Sequence, residues 1–538
     1  MKILSHKKLI IAVFLLSSAI TVLLRLPYST VPVLIVDEAL YAEIANVILD
    51  GGMPYRDAWE QKPPGVYYLY ALIFKLFGRN NLFAVHCFCI AAVLITSAGL
   101  LYIGILMHGV GTGILASFFY GVLSSAGSAS HFQAANTEIF AMVFVVWALA
   151  VYLRSGKSAQ GILCSGFLTA LGFVFKQPAG FGGVVILCHL FLTRSTPLRK
   201  AILGAVWFFV GFLFVVMIMA GFFLIHGALR DLWMVGFWHN ILYMRGNSLL
   251  YGLHVAVKNI PVQTQGNQFF YLSSASVFCF SLWSSLKKKH SFLQKSVSRN
   301  IFFALWWCIG WASVGLGWRF EGHYFFFVLP VVALLSAFFC SVCTRYFYST
   351  IMRHKLKSIG LVFLIIVVSS CGIGYSIYKH CLGAFRLQRT YKVLLDPDNP
   401  QGESFRRTAQ FIKNNTLPNQ KIFVWGFCPE IYVLSDRRCA SRFVFCNFLI
   451  GQMTGDEFFF KNNERLDRVI PGAWRYLMDD LLSNFPVFII DTSPSNYFQY
   501  GKYPIARFGE LRSFVNSFYT LEKRIGGFDV YRLDEARI

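Results

Sequence analysis

Apolar residues along this chain gather into long unbroken runs separated by short polar stretches, until a final segment where polar and apolar positions mix more closely. A helix needs roughly 20 apolar residues to cross the hydrocarbon core of a bilayer. The pattern predicts eleven such helices, over Lys8–Leu26, Leu82–Met107, Gly111–Ala126, Phe132–Leu153, Gly161–Phe175, Ala179–Leu192, Ala201–Ile225, Phe269–Leu286, Ile301–Trp318, Tyr324–Cys343 and Ser358–Tyr378. The third, fifth and sixth are short for a membrane-normal helix, so their ends are expected to reach into neighbouring polar segments. No small-residue cleavage site follows the first run, which predicts a retained span and not a signal peptide. In the tail the spacing predicts helices near Ser404–Asn414 and Leu466–Ser483, with strands at Lys421–Gly426, Val487–Asp491 and Phe528–Leu533. That alternation suggests a small α/β domain.

Composition agrees with the pattern. Only 14% of the 538 residues are charged against 56% hydrophobic, with a mean hydropathy of +0.55. Soluble domains carry about a quarter charged residues, so a water-soluble enzyme is excluded. The net charge of +23 does not point to nucleic acid, because many of the basic residues fill short gaps between apolar runs and no nucleic-acid-binding motif accompanies them. With the N-terminus inside, five gaps collect 17 Lys and Arg and no Asp or Glu, while every carboxylate falls on the outer side. Short basic loops mark the cytoplasmic face. The tail is therefore expected on the extracytoplasmic side of the membrane.

The expected domains are a transmembrane domain over 1–385, its first outer loop at 27–81, and an extracytoplasmic α/β domain over 386–538. Of thirteen cysteines only Cys428, Cys439 and Cys446 fall in the polar tail. An oxidising compartment permits a Cys428–Cys439 disulfide, with Cys446 an equally available partner.

The first outer loop carries the most chemistry. Asp37 is read as an N-cap, Leu40, Ile44, Val47 and Ile48 fall at helical spacing, and Gly51 stops the helix. This predicts a surface helix offering two adjacent carboxylates, Asp37 and Glu38. A second break, Gln61-Lys62-Pro63-Pro64-Gly65, presents Lys62 before another surface helix.

The order Asp37-Glu38-x-x-Tyr41-x-x-x-Ala45, Gly51-x-x-Pro54-Tyr55, Lys62-Pro63-Pro64-x-x-Tyr67 and Phe77-Gly78 resembles the first outer loop of GT-C glycosyltransferases. It is most similar to the dolichyl-phosphate-mannose protein mannosyltransferase-like group, which includes the bacterial lipid A aminoarabinose transferase. Looser echoes are Asn136-Thr137-Glu138, Lys176, Arg319, Gly322-His323-Tyr324, Val424-Trp425-Gly426 and Ala440-Ser441-Arg442-Phe443.

The resemblance implies a GT-C type polytopic α-helical membrane protein. It implies an inverting enzyme that moves a sugar from a polyprenyl-phosphate donor to a lipid, glycan or protein acceptor on the outer face. Such chemistry needs a carboxylate to take the acceptor's proton and cations to hold the lipid phosphate. The expected catalytic carboxylates are Asp37 and Glu38, with Glu38 open also to a metal-binding or helix-dipole reading. Lys62, Lys176, Arg319 and His323 are the expected phosphate contacts, and Glu138, a carboxylate at the edge of a span, is an acceptor or metal candidate. The lipid A transferase group carries Glu where this chain has Gln61, so a divalent metal is possible but none is required, and the cofactor stays open. The competing class is a transporter of a lipid or sugar-containing substrate. Transporters place charged or broken-helix sites near the midplane, often in repeated halves. Here the carboxylates cluster on one outer surface and no internal repeat is visible.

Overall fold

The computed structural model describes residues 2–156, 158–193, 197–244, 249–287, 295–352, 367, 369–383, 404–452 and 466–537. Among them, six helices are long and apolar enough to cross a membrane: Lys7–Ser29, Leu82–His108, Thr137–Arg154, Leu198–Ile225, Ser298–Trp318 and Leu329–Tyr346. Val110–Leu123, Ala159–Phe175 and Gln177–Leu192 are apolar but shorter, matching the three short runs in the sequence. Gln268–Lys287 is helical where the eighth span is expected. The eleventh, Ser358–Tyr378, lies partly outside the described residues, of which 369–383 are helical.

Two differences from the sequence pattern have local causes. The fourth helix starts at Thr137, not Phe132, because Ala129–Gln133 form a separate π-helical turn and Asn136 is extended. Leu249–Thr264 is a helix inside a stretch read as an outer loop.

The chain divides into two compact units that do not follow its linear order. One contains Met1–Val31, His86–Met219 and Asn247–Leu387; the other contains Pro32–Val85, Ala220–Gly246 and Gln388–Ile538. The first is the helical bundle. Phe209, Leu213, Phe214 and Met217 on one of its long helices are exposed, as expected of a surface whose solvent is lipid. Its interior contains the buried guanidinium of Arg25. Arg25 donates to the carbonyls of Ser124 (2.8 Å) and Gln133 (3.2 Å), fixing both ends of the turn that precedes helix Thr137–Arg154.

The second unit gathers the first outer loop, a short segment and the tail. Its core is a five-stranded sheet of β1 (Lys421–Trp425), β2 (Arg438–Cys439), β3 (Phe488–Asp491), β4 (Tyr519–Ile525) and β5 (Phe528–Leu533), ordered β2-β1-β3-β5-β4. The first three run parallel and β5 and β4 are antiparallel. Strands β1 and β3 are central and their apolar runs are buried. β4 is largely exposed and charged, so it carries no alternating pattern. It joins β5 through Gly526 and Gly527, both at positive φ (56° and 87°), the conformation a two-residue hairpin turn requires. The three tail cysteines are free thiols. Cys439 Sγ lies against Tyr432 Oη (3.2 Å), while Cys446 Sγ accepts the Gly426 N–H (3.4 Å).

Candidate active site

The predicted site residues fall into two clusters, one in each compact unit. In the loop unit, helix Val36–Leu49 starts from an extended Ile35, which is its N-cap. Asp37 therefore lies within the first turn and is not the cap. Entry to the helix is held instead by Glu38, whose buried carboxylate accepts the Leu34 N–H at 2.7 Å. That contact favours the structural reading of Glu38 over an acceptor or metal role.

Asp37 Oδ2 lies 3.1 Å from Lys62 Nζ, and Glu60 Oε1 lies 3.1 Å from the same nitrogen. The side chains are 18%, 13% and 2% exposed for Asp37, Lys62 and Glu60. Tyr41, one turn after Asp37, donates its hydroxyl to Asp37 Oδ2 (3.3 Å) and lies beneath the ammonium, 5.0 Å from its ring centroid. Burial works against the charge on Lys62, but Asp37 and Glu60 outweigh it and hold its pKa well above the usual lysine value. The amine stays a cation and cannot serve as the base.

The backbone under this cluster is strongly held. Tyr55 and Tyr67 both donate to the Lys62 carbonyl (2.7 and 3.2 Å), and Asn240 Nδ2 donates to the Gln61 carbonyl (2.6 Å). Tyr55 adopts a φ of 70°, a strained conformation that persists where the surroundings over-determine it. Trp59 N–H donates to the Arg442 carbonyl (2.8 Å), and its indole packs on Phe443 at 4.9 Å. Arg442 is in turn gripped by Asp480 at 2.9 Å. The tail motif Ala440–Phe443 thus braces the loop that carries Glu60 and Lys62.

Gln61 meets His239 Nδ1 at 3.2 Å, while His239 Nε2 meets the Arg468 carbonyl at 3.2 Å. Burial lowers the His239 pKa to about 4, so the ring is neutral and has one N–H. The carbonyl needs that proton, so Nδ1 is an acceptor and Gln61 must turn its NH₂ toward it. An amide satisfies this pairing; a carboxylate would not.

Farther along the same helix, Glu43 is fully buried. It accepts the Cys439 N–H at 2.8 Å and faces Arg438 Nη1 at 3.5 Å. Burial raises its pKa to about 7 despite the guanidinium. The folded protein therefore binds a proton there that the unfolded chain releases above its ordinary pKa of 4.5. Stability should fall as pH rises from about 5 to about 7, then level off. Thermal melts across that range should show this slope in the wild type and a flatter one in Glu43→Gln, with the variant more stable near pH 8.

In the bundle unit, Glu138 occupies the first turn of helix Thr137–Arg154. Lys176 Nζ lies 2.9 Å from Glu138 Oε1, and His323 Nε2 lies 4.0 Å from the same oxygen. His131 Nδ1 meets His323 Nδ1 at 3.2 Å, and Lys176 stands over the Tyr324 ring at 5.2 Å. All three predicted residues are buried. Arg319 is buried too, on a turn where Gly317, Trp318 and Phe320 have φ of 75°, 61° and 50°. Asn259 Nδ2 anchors the Arg319 carbonyl at 3.1 Å.

The structure thus joins Asp37 to Lys62, and Glu138 to Lys176 and His323. Sequence reasoning missed Glu60 and His131. Glu60 was legible as a carboxylate two residues before Lys62; His131 was hidden at the edge of an apolar run.

Residues 61–226 match the family described as dolichyl-phosphate-mannose-protein mannosyltransferase. That stretch holds Lys62, Glu138 and Lys176 and begins after Asp37. No curated protein sequence matches the chain significantly. Among solved structures, ArnT from Cupriavidus metallidurans bound to undecaprenyl phosphate is similar, with a TM-score of 0.57 at 13% identity over 98% of each chain. Its apo form gives 0.56 at 12% identity, covering 99% of this chain and 98% of that one. The archaeal oligosaccharyltransferase AglB from Archaeoglobus fulgidus, in complex with an inhibitory peptide and a dolichol-phosphate, gives 0.54 at 11% identity over 99% of this chain and 75% of that one. The chain therefore has the GT-C fold that its first outer loop resembles: a polytopic helical membrane protein with a small C-terminal α/β domain.

Proposed function

We propose that this protein is a glycosyltransferase of the inner membrane of a bacterium. It moves a sugar from a polyprenyl-phosphate donor to a lipid, glycan or protein acceptor on the outer face. The observation that carries the reading is the half-buried Asp37, held 3.1 Å from Lys62 and 3.3 Å from the Tyr41 hydroxyl, on the first loop of a GT-C fold. The lipid phosphates named for the two similar structures support the donor class.

In this reading Asp37 takes the proton of the acceptor hydroxyl or amine as that atom attacks the anomeric carbon. The bond to the lipid phosphate breaks on the opposite face, so a single displacement inverts the configuration. Lys62 holds the phosphate as its charge grows, and Lys176, Arg319 and His323 of the bundle are separate candidates for phosphate contact. Glu138 keeps the Lys176 ammonium in place and remains a candidate for acceptor contact.

Incubation of the purified protein with a radiolabelled polyprenyl-phosphate sugar and envelope extract should yield a labelled acceptor. NMR of the product should show the opposite anomeric configuration from the donor. Movement of donor across vesicles without a new glycosidic bond would instead establish a transporter. For orientation, a reporter active only in the cytoplasm, fused after Ile538, should be silent; strong activity there would place the site on the wrong face.

A further inference from the structure

Glu60 has no part in the transfer step described above, yet it is more deeply buried than Asp37 or Lys62 and lies 3.1 Å from the Lys62 ammonium. We propose that Glu60 is a positioning residue that acts through Lys62 to keep the spent lipid phosphate from being held too tightly. The inference rests on Lys62 being a phosphate contact.

An ammonium has three N–H donors. Two are directed to Asp37 and Glu60, and the third is the one a phosphate oxygen would take. In the displacement, a bond forms between the acceptor atom and the anomeric carbon. The bond from that carbon to the phosphate oxygen breaks and its electron pair stays on the oxygen. The donor is a phosphodiester with one negative charge, whereas the product is a phosphomonoester approaching two near neutral pH. At the same moment Asp37 accepts the acceptor's proton and loses its charge. An ammonium partnered by Asp37 alone would then be an unopposed cation facing a near-dianion, and the product would be trapped.

Glu60 takes no proton in this step, and its ion pair with Lys62 at 3.1 Å goes on opposing that ammonium when the phosphate charge is greatest. It also keeps the nitrogen in place, so positioning does not depend on the protonation state of Asp37. Product release limits many enzymes, and this carboxylate acts on that step.

The test uses a short-chain polyprenyl phosphate as the product probe, with the full-length protein in detergent. Glu60→Gln keeps the shape and the hydrogen bond to Lys62 but removes the charge. It should bind the probe about tenfold more tightly, the effect of one charge at a few ångströms in a half-buried site. Steady-state transfer should slow while the single-turnover rate is retained, giving a burst. Glu60→Asp keeps the charge and should restore wild-type affinity. Equal or weaker probe binding by folded Glu60→Gln overturns the proposal, because a merely structural residue would not tighten binding when altered. If Lys62→Ala weakens binding but Glu60→Gln does not tighten it, only the role of Glu60 fails. If Lys62→Ala binds the probe normally, the phosphate reading of Lys62 fails with it.

Discussion

Asp37→Asn should lower the single-turnover transfer rate by about 10² to 10⁴, the usual contribution of a general base, with little change in donor affinity. The substitution is nearly isosteric. It preserves the acceptor oxygen for the Tyr41 hydroxyl and removes only the charge and the proton-accepting capacity. Lys62 keeps Glu60 as a carboxylate partner at 3.1 Å, so the ammonium is not stranded. The helix start is also spared, since the cap is Ile35 and the entry is held by Glu38. The measurement is rapid-quench transfer with saturating donor, alongside equilibrium donor binding. Wild-type turnover in Asp37→Asn would remove Asp37 as the base and bring forward Glu38 or Glu138, the two buried carboxylates among the predicted residues. Loss of donor binding with turnover would mean that the carboxylate acts mainly by holding Lys62.

Much of this arrangement was legible in the sequence because it is local. The helical spacing of Leu40, Ile44, Val47 and Ile48 anticipates helix Val36–Leu49, and the apolar runs Lys421–Trp425 and Phe488–Asp491 become the buried central strands. The cap at Ile35 was not legible, because an aliphatic residue carries no capping signal; the extended backbone there is set by the Glu38 carboxylate reaching back to Leu34. β2 spans two residues and β4 is an exposed, charged edge, so neither has a periodic pattern to read. The bracing of the site was hidden for a different reason. Tyr55 and Tyr67 converge on one carbonyl, and Arg442 reaches Trp59 from the distant tail. Such convergence is a property of packing, and single-chain periodicity holds no record of it.

The bundle cluster permits a sharper separation of folding from function. Lys176→Met should destabilise the protein by about 3 kcal/mol or more, since it strands the buried Glu138 carboxylate that Lys176 meets at 2.9 Å. His323 Nε2, at 4.0 Å from the same oxygen, is too far to replace that contact without moving. The double variant Lys176→Met/Glu138→Gln removes the stranded charge and should recover most of the lost stability, because replacing both members of a buried pair is often close to neutral. Recovery of folding should not bring recovery of binding. With its ammonium gone the phosphate loses a charged partner, which costs on the order of 2 to 4 kcal/mol by analogy with truncated charge pairs, equivalent to at least a twentyfold loss of donor affinity. Thermal melting reports the first effect and donor binding the second. A double variant that melts like the wild type and also binds donor like the wild type would make the Lys176–Glu138 pair a structural element of the bundle. Lys62 would then be the proposed phosphate contact that remains to be tested in the loop unit.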